Sequence, residues 1–76
     1  MRLSDIKAGH KVKVISINIA NPLIKRHILE MGLTRGTIIR VIRKSPMGDP
    51  ICVELRGYEL ALRYSEMQDI LVEVIR

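Results

Sequence analysis

Neither phenylalanine nor tryptophan occurs in the chain, and Tyr58 and Tyr64 are its only aromatic side chains. Barrels that bind single-stranded nucleic acid stack bases on aromatic platforms, and grooves for proline-rich peptides are lined with aromatic rings. Two tyrosines make a poor version of either. The single cysteine, Cys52, allows no internal disulfide. An oxidised, cross-linked secreted scaffold is therefore excluded. One cysteine and two histidines cannot complete a four-ligand zinc-finger site. No stretch reaches the ~18 apolar residues of a membrane span, and the start of the chain lacks a signal-peptide pattern. A cytoplasmic location is expected.

What is present is aliphatic and basic. Of 76 residues, 47% are hydrophobic, and isoleucine is the commonest residue. That composition suits β structure and argues against disorder. The length leaves room for one core, so residues 1–76 are read as a single domain. A chain of this size buries only roughly 60% of its unfolded surface, which leaves little for a deep cleft. The net charge of +5 is unevenly spread. Residues 1–44 carry ten Lys/Arg against two Asp/Glu, or +8, and residues 45–76 carry three against six, or −3. A basic side of this kind meets phosphate, an acidic protein or anionic lipid, or simply keeps the surface solvated.

The order of elements follows from period and punctuation. Leu3–Gly9 reads as a helical turn, capped by Ser4 and ended by Gly9. Lys11–Val14 alternates as a half-buried strand does, and the phase then slips at Ile15 and Ile17. One extra residue, a β-bulge, accounts for the slip. Asn21-Pro22 opens a helix of about 10 residues, since Asn caps well and Pro fits the first helical position. Ile24, Ile28 and Met31 form its apolar stripe, Lys25, Arg26 and Glu30 fall away from it, and Gly32 stops it. Thr34-Arg35-Gly36 is a turn. Residues 37–44 carry branched residues at both parities, which predicts a strand covered on both faces. Pro46–Pro50 is a hairpin loop. Ile51, Val53 and Leu55 alternate with Cys52, Glu54 and Arg56, and Tyr58, Leu60 and Leu62 mark another strand. Ser65–Gln68 has the pattern of a capping box on a short helical turn. Ile70–Ile75 is the last strand and the expected exposed edge. The fold class is mainly β: a small, bent antiparallel barrel of about five strands, with one short helix and one or two helical turns.

No catalytic constellation emerges. His10 follows a glycine at a strand entry. His27 has Glu30 at i+3 for a surface pair. Cys52 reads as a small strand residue, although a thiol can also be reactive or ligate a soft metal. Glu54 and Glu59 fall on facing strands but have no cleft for acid–base work. Gly32-x-x-x-Gly36 lacks the Lys-Ser/Thr of a phosphate loop. The helix 22–31 has too few basic residues, and no partner helix, for a DNA-reading motif.

Four stretches together resemble the ferrous iron transport protein A (FeoA) family along nearly the whole chain. They are Leu3-Ser4-Asp5-Ile6-Lys7-Ala8-Gly9, Ile28-Leu29-Glu30-Met31-Gly32-Leu33-Thr34-Arg35-Gly36, Ser45-Pro46-Met47-Gly48-Asp49-Pro50-Ile51 and Gly57-Tyr58-Glu59-Leu60-Ala61-Leu62-Arg63. The family often has Pro at the position of Arg35. The resemblance implies an SH3-like barrel, similar also to the C-terminal domain of iron-dependent repressors of the diphtheria-toxin-repressor type. It implies a non-catalytic cytosolic accessory protein of ferrous iron uptake, working with the cytosolic part of the G-protein-bearing permease FeoB. It implies no cofactor and supplies no metal ligands.

Arg26, His27, Met47 and Tyr58 are the candidate partner contacts, because small barrels bind through loops and helices and an exposed methionine adapts to a partner. An arginine finger from Arg26, Arg35 or Arg43 is a sharper version. Two other classes stand beside this reading. A basic nucleic-acid-binding barrel would lose affinity steeply with salt. A metal-sensing module would use His10, His27, Glu30 or Cys52.

Overall fold

The computed structural model describes residues 1–75. Its order is a 3₁₀ turn (Leu3–Asp5), β1 (Lys11–Ile17), α1 (Pro22–Glu30), β2 (Ile38–Lys44), β3 (Ile51–Leu55), β4 (Tyr58–Leu62), α2 (Tyr64–Met67) and β5 (Ile70–Val74). The strands form one antiparallel sheet in the order β4-β3-β2-β1-β5. This is the five-stranded, bent, mainly β architecture that the alternation predicts.

The curl comes from two one-residue slips. Val14 pairs with Val72, but Ser16 pairs with Leu71, leaving Ile15 as the extra residue of β1. Val41 pairs with Val53, but Arg43 pairs with Cys52, leaving Ile42 extra in β2. Each bulge raises the local twist and bends its strand. The first is the expected one. The reading of residues 37–44 as covered on both faces is corrected: Ile39 and Val41 are buried, whereas Ile38 is 47% exposed. The bulge accounts for Ile42 only, and Ile38, in the regular part of β2 before it, is an isoleucine left on the outer face.

Val12, Val14, Ile39, Val41, Val53, Leu55, Leu62, Ile70 and Val72 point into one core, joined by Leu3, Ile28, Leu33 and Met67. Each fully buried aliphatic side chain contributes about 1.5–3 kcal/mol relative to exposure. β5 is an outer strand of the sheet, as expected. The chain start covers part of its edge: Val72 N–H donates to the Met1 carbonyl at 2.7 Å, and Arg2 bridges Leu71.

Three local expectations are corrected. Ser4 lies inside the 3₁₀ turn, buried, and caps nothing. Gly9 (φ +92°) does not end that turn, which stops at Asp5. It leads instead into β1, its N–H donating to the Val41 carbonyl. The cap of α2 is Arg63 rather than Ser65, with Glu66 Oε1 accepting the Arg63 backbone N–H at 3.2 Å. Only this half of a capping box exists, because a guanidinium has no acceptor to return the bond.

Candidate partner-binding face

α1 is built by strong local signals. Asn21 Oδ1 accepts the N–H groups of Leu23 (2.9 Å) and Ile24 (3.4 Å), and Pro22 occupies the first turn. At the other end Gly32 (φ +96°) donates to the Leu29 carbonyl at 3.0 Å, and Leu33 donates to the Ile28 carbonyl at 3.2 Å. That pair of bonds is a Schellman motif, and both Leu33 and Ile28 are buried in the core. Ile28 is the buried residue of the helix, while Met31 is partly covered and Ile24 is 38% exposed. The expected three-residue stripe therefore narrows to one anchor with Met31 beside it.

The segment after α1 explains the Met-Gly-Leu-Thr-x-Gly string residue by residue. Gly32 supplies the left-handed turn and Leu33 the core contact. Thr37 Oγ1 donates to the Gly32 carbonyl at 3.2 Å and accepts the Thr34 N–H at 3.3 Å. Arg35-Gly36 makes the tight turn, with Gly36 at φ +90°. Gly36 N–H donates to the Val14 carbonyl, and Val14 N–H donates to the Thr37 carbonyl. The turn is thus fastened to β1 without a proline at Arg35.

The four sequence candidates fall in two places. Arg26 and His27 are exposed on α1. Arg26 Nε binds Glu30 Oε1 at 3.0 Å. Glu30 is therefore paired with Arg26, not with His27 as expected. At 79% and 64% side-chain exposure this pair contributes little, about 0.3–0.5 kcal/mol. Tyr58 lies near the same end: its Oη, with the Arg56 side chain, comes within 3.5 Å of where a Cβ on Gly32 would sit. Met47 is 93% exposed in the β2–β3 loop. β3 separates that loop from the Arg56-Gly57 turn, a distance on the order of 16 Å for a five-residue strand.

Between the bulged half of β1 and α1 runs an open groove of about 430 Å³ lined by Ile15, Ser16, Ile17, Lys25, Leu29 and Arg35. Lys25 and Leu29, four residues apart, share one flank of the helix. On its other flank, Ile19, Ala20, Asn21 and Ile24 meet Ser65, Glu66 and Asp69 in a smaller recess. The first groove was not legible as a site. Its one sequence signal is the parity slip at Ile15.

The remaining candidates lie elsewhere. Glu54 and Glu59 are direct cross-strand partners, as expected. Cys52 Sγ donates to Glu59 Oε1 at 3.4 Å, and Arg43 Nη1 donates to the same oxygen at 3.5 Å. Desolvation first, and then the Glu59 hydrogen bond and charge, push the Cys52 thiol above its ordinary pKa, while Arg43 pulls the other way. The thiol stays protonated at neutral pH and is a poor nucleophile. Among the described residues, no three His, Cys, Asp or Glu side chains converge as a metal site. His10, His27, Glu30 and Cys52 are accordingly not brought together. No helix among the described residues is long and apolar enough to cross a membrane.

Comparison with known proteins agrees with the residue patterns. Residues 1–74 match the family model for the FeoA domain. A curated Fe(2+) transport protein A/Fe(2+) transporter FeoB fusion protein of Porphyromonas gingivalis is 31% identical over 75 residues, 99% of this chain. The chain spans only 9% of the length of that relative. The solution structure of a FeoA-like protein from Clostridium acetobutylicum is 49% identical with a TM-score of 0.89, covering 100% of this chain and 87% of that one. The crystal structure of Stenotrophomonas maltophilia FeoA complexed with zinc, described as an SH3 domain protein, is 32% identical with a TM-score of 0.83, covering 96% and 89%. The barrel is SH3-like.

Proposed function

The chain belongs to the FeoA domain family, and from that membership we propose that it is a non-catalytic cytosolic accessory module of ferrous iron uptake that binds the cytosolic part of a FeoB-type permease. The observation that carries the reading is the relative in which a similar domain is covalently joined to FeoB. Fusion gives two partners a high effective concentration, which is useful only where they act together. The absence of a catalytic constellation in the sequence and the quiet Cys52 fit a binding role.

The contacts fall on Arg26, His27, Tyr58 and Met47. A partner touching both ends of β3 covers one side of a molecule measuring 29 × 27 × 23 Å, which is within reach of an interface burying about 800 Å² per partner. Arg26, Arg35 and Arg43 all stand as arginine-finger candidates, because the exposed Arg26–Glu30 and Arg43–Glu59 pairs are too weak to hold either guanidinium back.

The test is affinity purification of the tagged full chain from gently solubilised cells, with and without nuclease, followed by mass spectrometry. Nuclease-resistant enrichment of a G-protein-bearing iron permease is expected. Enrichment only of nucleic-acid assemblies that vanish with nuclease would overturn the reading. With the permease in hand, Arg26→Ala and Met47→Ala each weaken the complex by more than ~1 kcal/mol if they anchor it. Unchanged affinity in both removes that pair of contacts.

A further inference from the structure

We infer that the groove between α1 and the bulged half of β1 receives an acidic segment of the partner protein, one apolar side chain lying on Ile15, Ile17 and Leu29 and flanking carboxylates on Lys25 and Arg35. This rests on the permease reading above and names the chemistry of the contact.

Three observations carry it. First, Ile15 keeps the outward parity of Lys11 and Lys13 and is 38% exposed across from Leu29 at 39%, while the bulge there turns Ile17 toward the core. β1 pairs with β2 only as far as Lys13↔Ile38, and Val14 then meets the 36–37 turn, so the rest of the strand borders the groove. Bulges re-aim side chains in this way beside binding sites. Second, both charged lining residues are cations and no carboxylate lines the groove. Neither Lys25 nor Arg35 forms an ion pair among the described residues. Across the recess on the opposite flank of α1 stand Glu66 of α2 and Asp69. An acidic ligand is thus attracted to one side of the helix and repelled from the other, the kind of arrangement that sets specificity and register. Third, the site is recessed between a helix and a strand. A flat anionic bilayer would reach Lys25 and Arg35 but not the half-buried Ile17, whereas a polypeptide side chain enters.

The test titrates the full chain with the purified cytosolic region of the FeoB-type permease from the same genome, by calorimetry at low and high NaCl. Lys25→Glu with Arg35→Glu is expected to weaken binding at least ~10-fold and to remove most of its salt dependence. Leu29→Glu is expected to act likewise through the apolar floor. The charge-matched Lys7→Glu/Lys11→Glu control, on exposed residues outside the groove, stays within about two-fold. Circular dichroism and a thermal melt establish that each variant is folded. If the wild type binds and the Lys25/Arg35 reversal binds equally well, the groove assignment is overturned and the permease reading stands. If the wild type does not bind even at low salt, both fall. Phosphatidylglycerol vesicles provide the last arm. Sedimentation of the wild type with vesicles alone, lost on the Lys25/Arg35 reversal while permease affinity is unchanged, would assign the groove to lipid and overturn the inference.

Discussion

The carboxylate of Asp49, in the loop between β2 and β3, accepts the backbone N–H of Tyr64 at 3.0 Å, fifteen residues farther along the chain. It thereby serves the first turn of α2 from a distance and fastens the loop carrying Met47 to the helix that buries Met67. Asp49→Ala is expected to cost about 1 kcal/mol, the usual worth of a helix N-terminal acceptor, and Asp49→Asn less. Urea denaturation measures it as a lower midpoint at constant slope.

Ile28 is the anchor of α1, and Ile28→Ala should cost about 2–5 kcal/mol. Ile24→Ala, at a half-exposed position of the same helix, should cost well under half of that. Equal losses in the two variants would contradict the single-anchor geometry.

Gly32→Ala tests the turn after α1. An added Cβ would meet Arg56 and Tyr58 at ordinary contact distance, 3.5 Å, so crowding is not the penalty. The left-handed backbone is, and a loss of about 1–2 kcal/mol is expected. Gly32→Asn should lose less, since asparagine tolerates that conformation better. Thermal melts of the three proteins rank them.

The Cys52 thiol reports its neighbours. Its raised pKa comes from desolvation and from Glu59, opposed by Arg43. Glu59→Gln removes a negative charge, lowers the thiol pKa and speeds iodoacetamide alkylation at fixed mildly alkaline pH. Arg43→Ala does the reverse. Because the folded pKa lies above the unfolded one, the unfolded chain loses the thiol proton first. The contribution of Cys52 to stability therefore falls as pH rises through the ordinary thiol range.

Where the signal is local, the sequence and the structure agree. Asn21-Pro22 and Gly32 bound α1 because a cap, a first-turn proline and a left-handed glycine each act within one turn. The bulge at Ile15 shows as a change of parity. The same cue misleads at Ile38–Ile42, since a bulge at Ile42 and an exposed Ile38 together write the pattern of burial on two faces. The Ser65–Gln68 pattern points two residues past the true cap, Arg63, because the acceptor for Tyr64 comes from Asp49, which no nearby residue announces. The groove was invisible for the same kind of reason. Lys25 and Leu29 face Ile15 only once α1 has docked, and the docking angle is a tertiary fact. The family resemblance supplied the fold and the transport context, which agree with the comparisons, but no contact surface.

β1 is a strand with two reading frames. Even-numbered residues face inward through Val14, and after Ile15 the inward line passes to Ile17 and Ile19. Seven residues thus line a core and a surface recess with one element, an economy a 76-residue chain needs. It also makes Ile15 a position of β1 that can be deleted without breaking the inward line. Removing that residue would leave Ser16 outward after Val14 and keep Ile17 and Ile19 on the core line, so the core would survive while the recess lost its Ile15 wall.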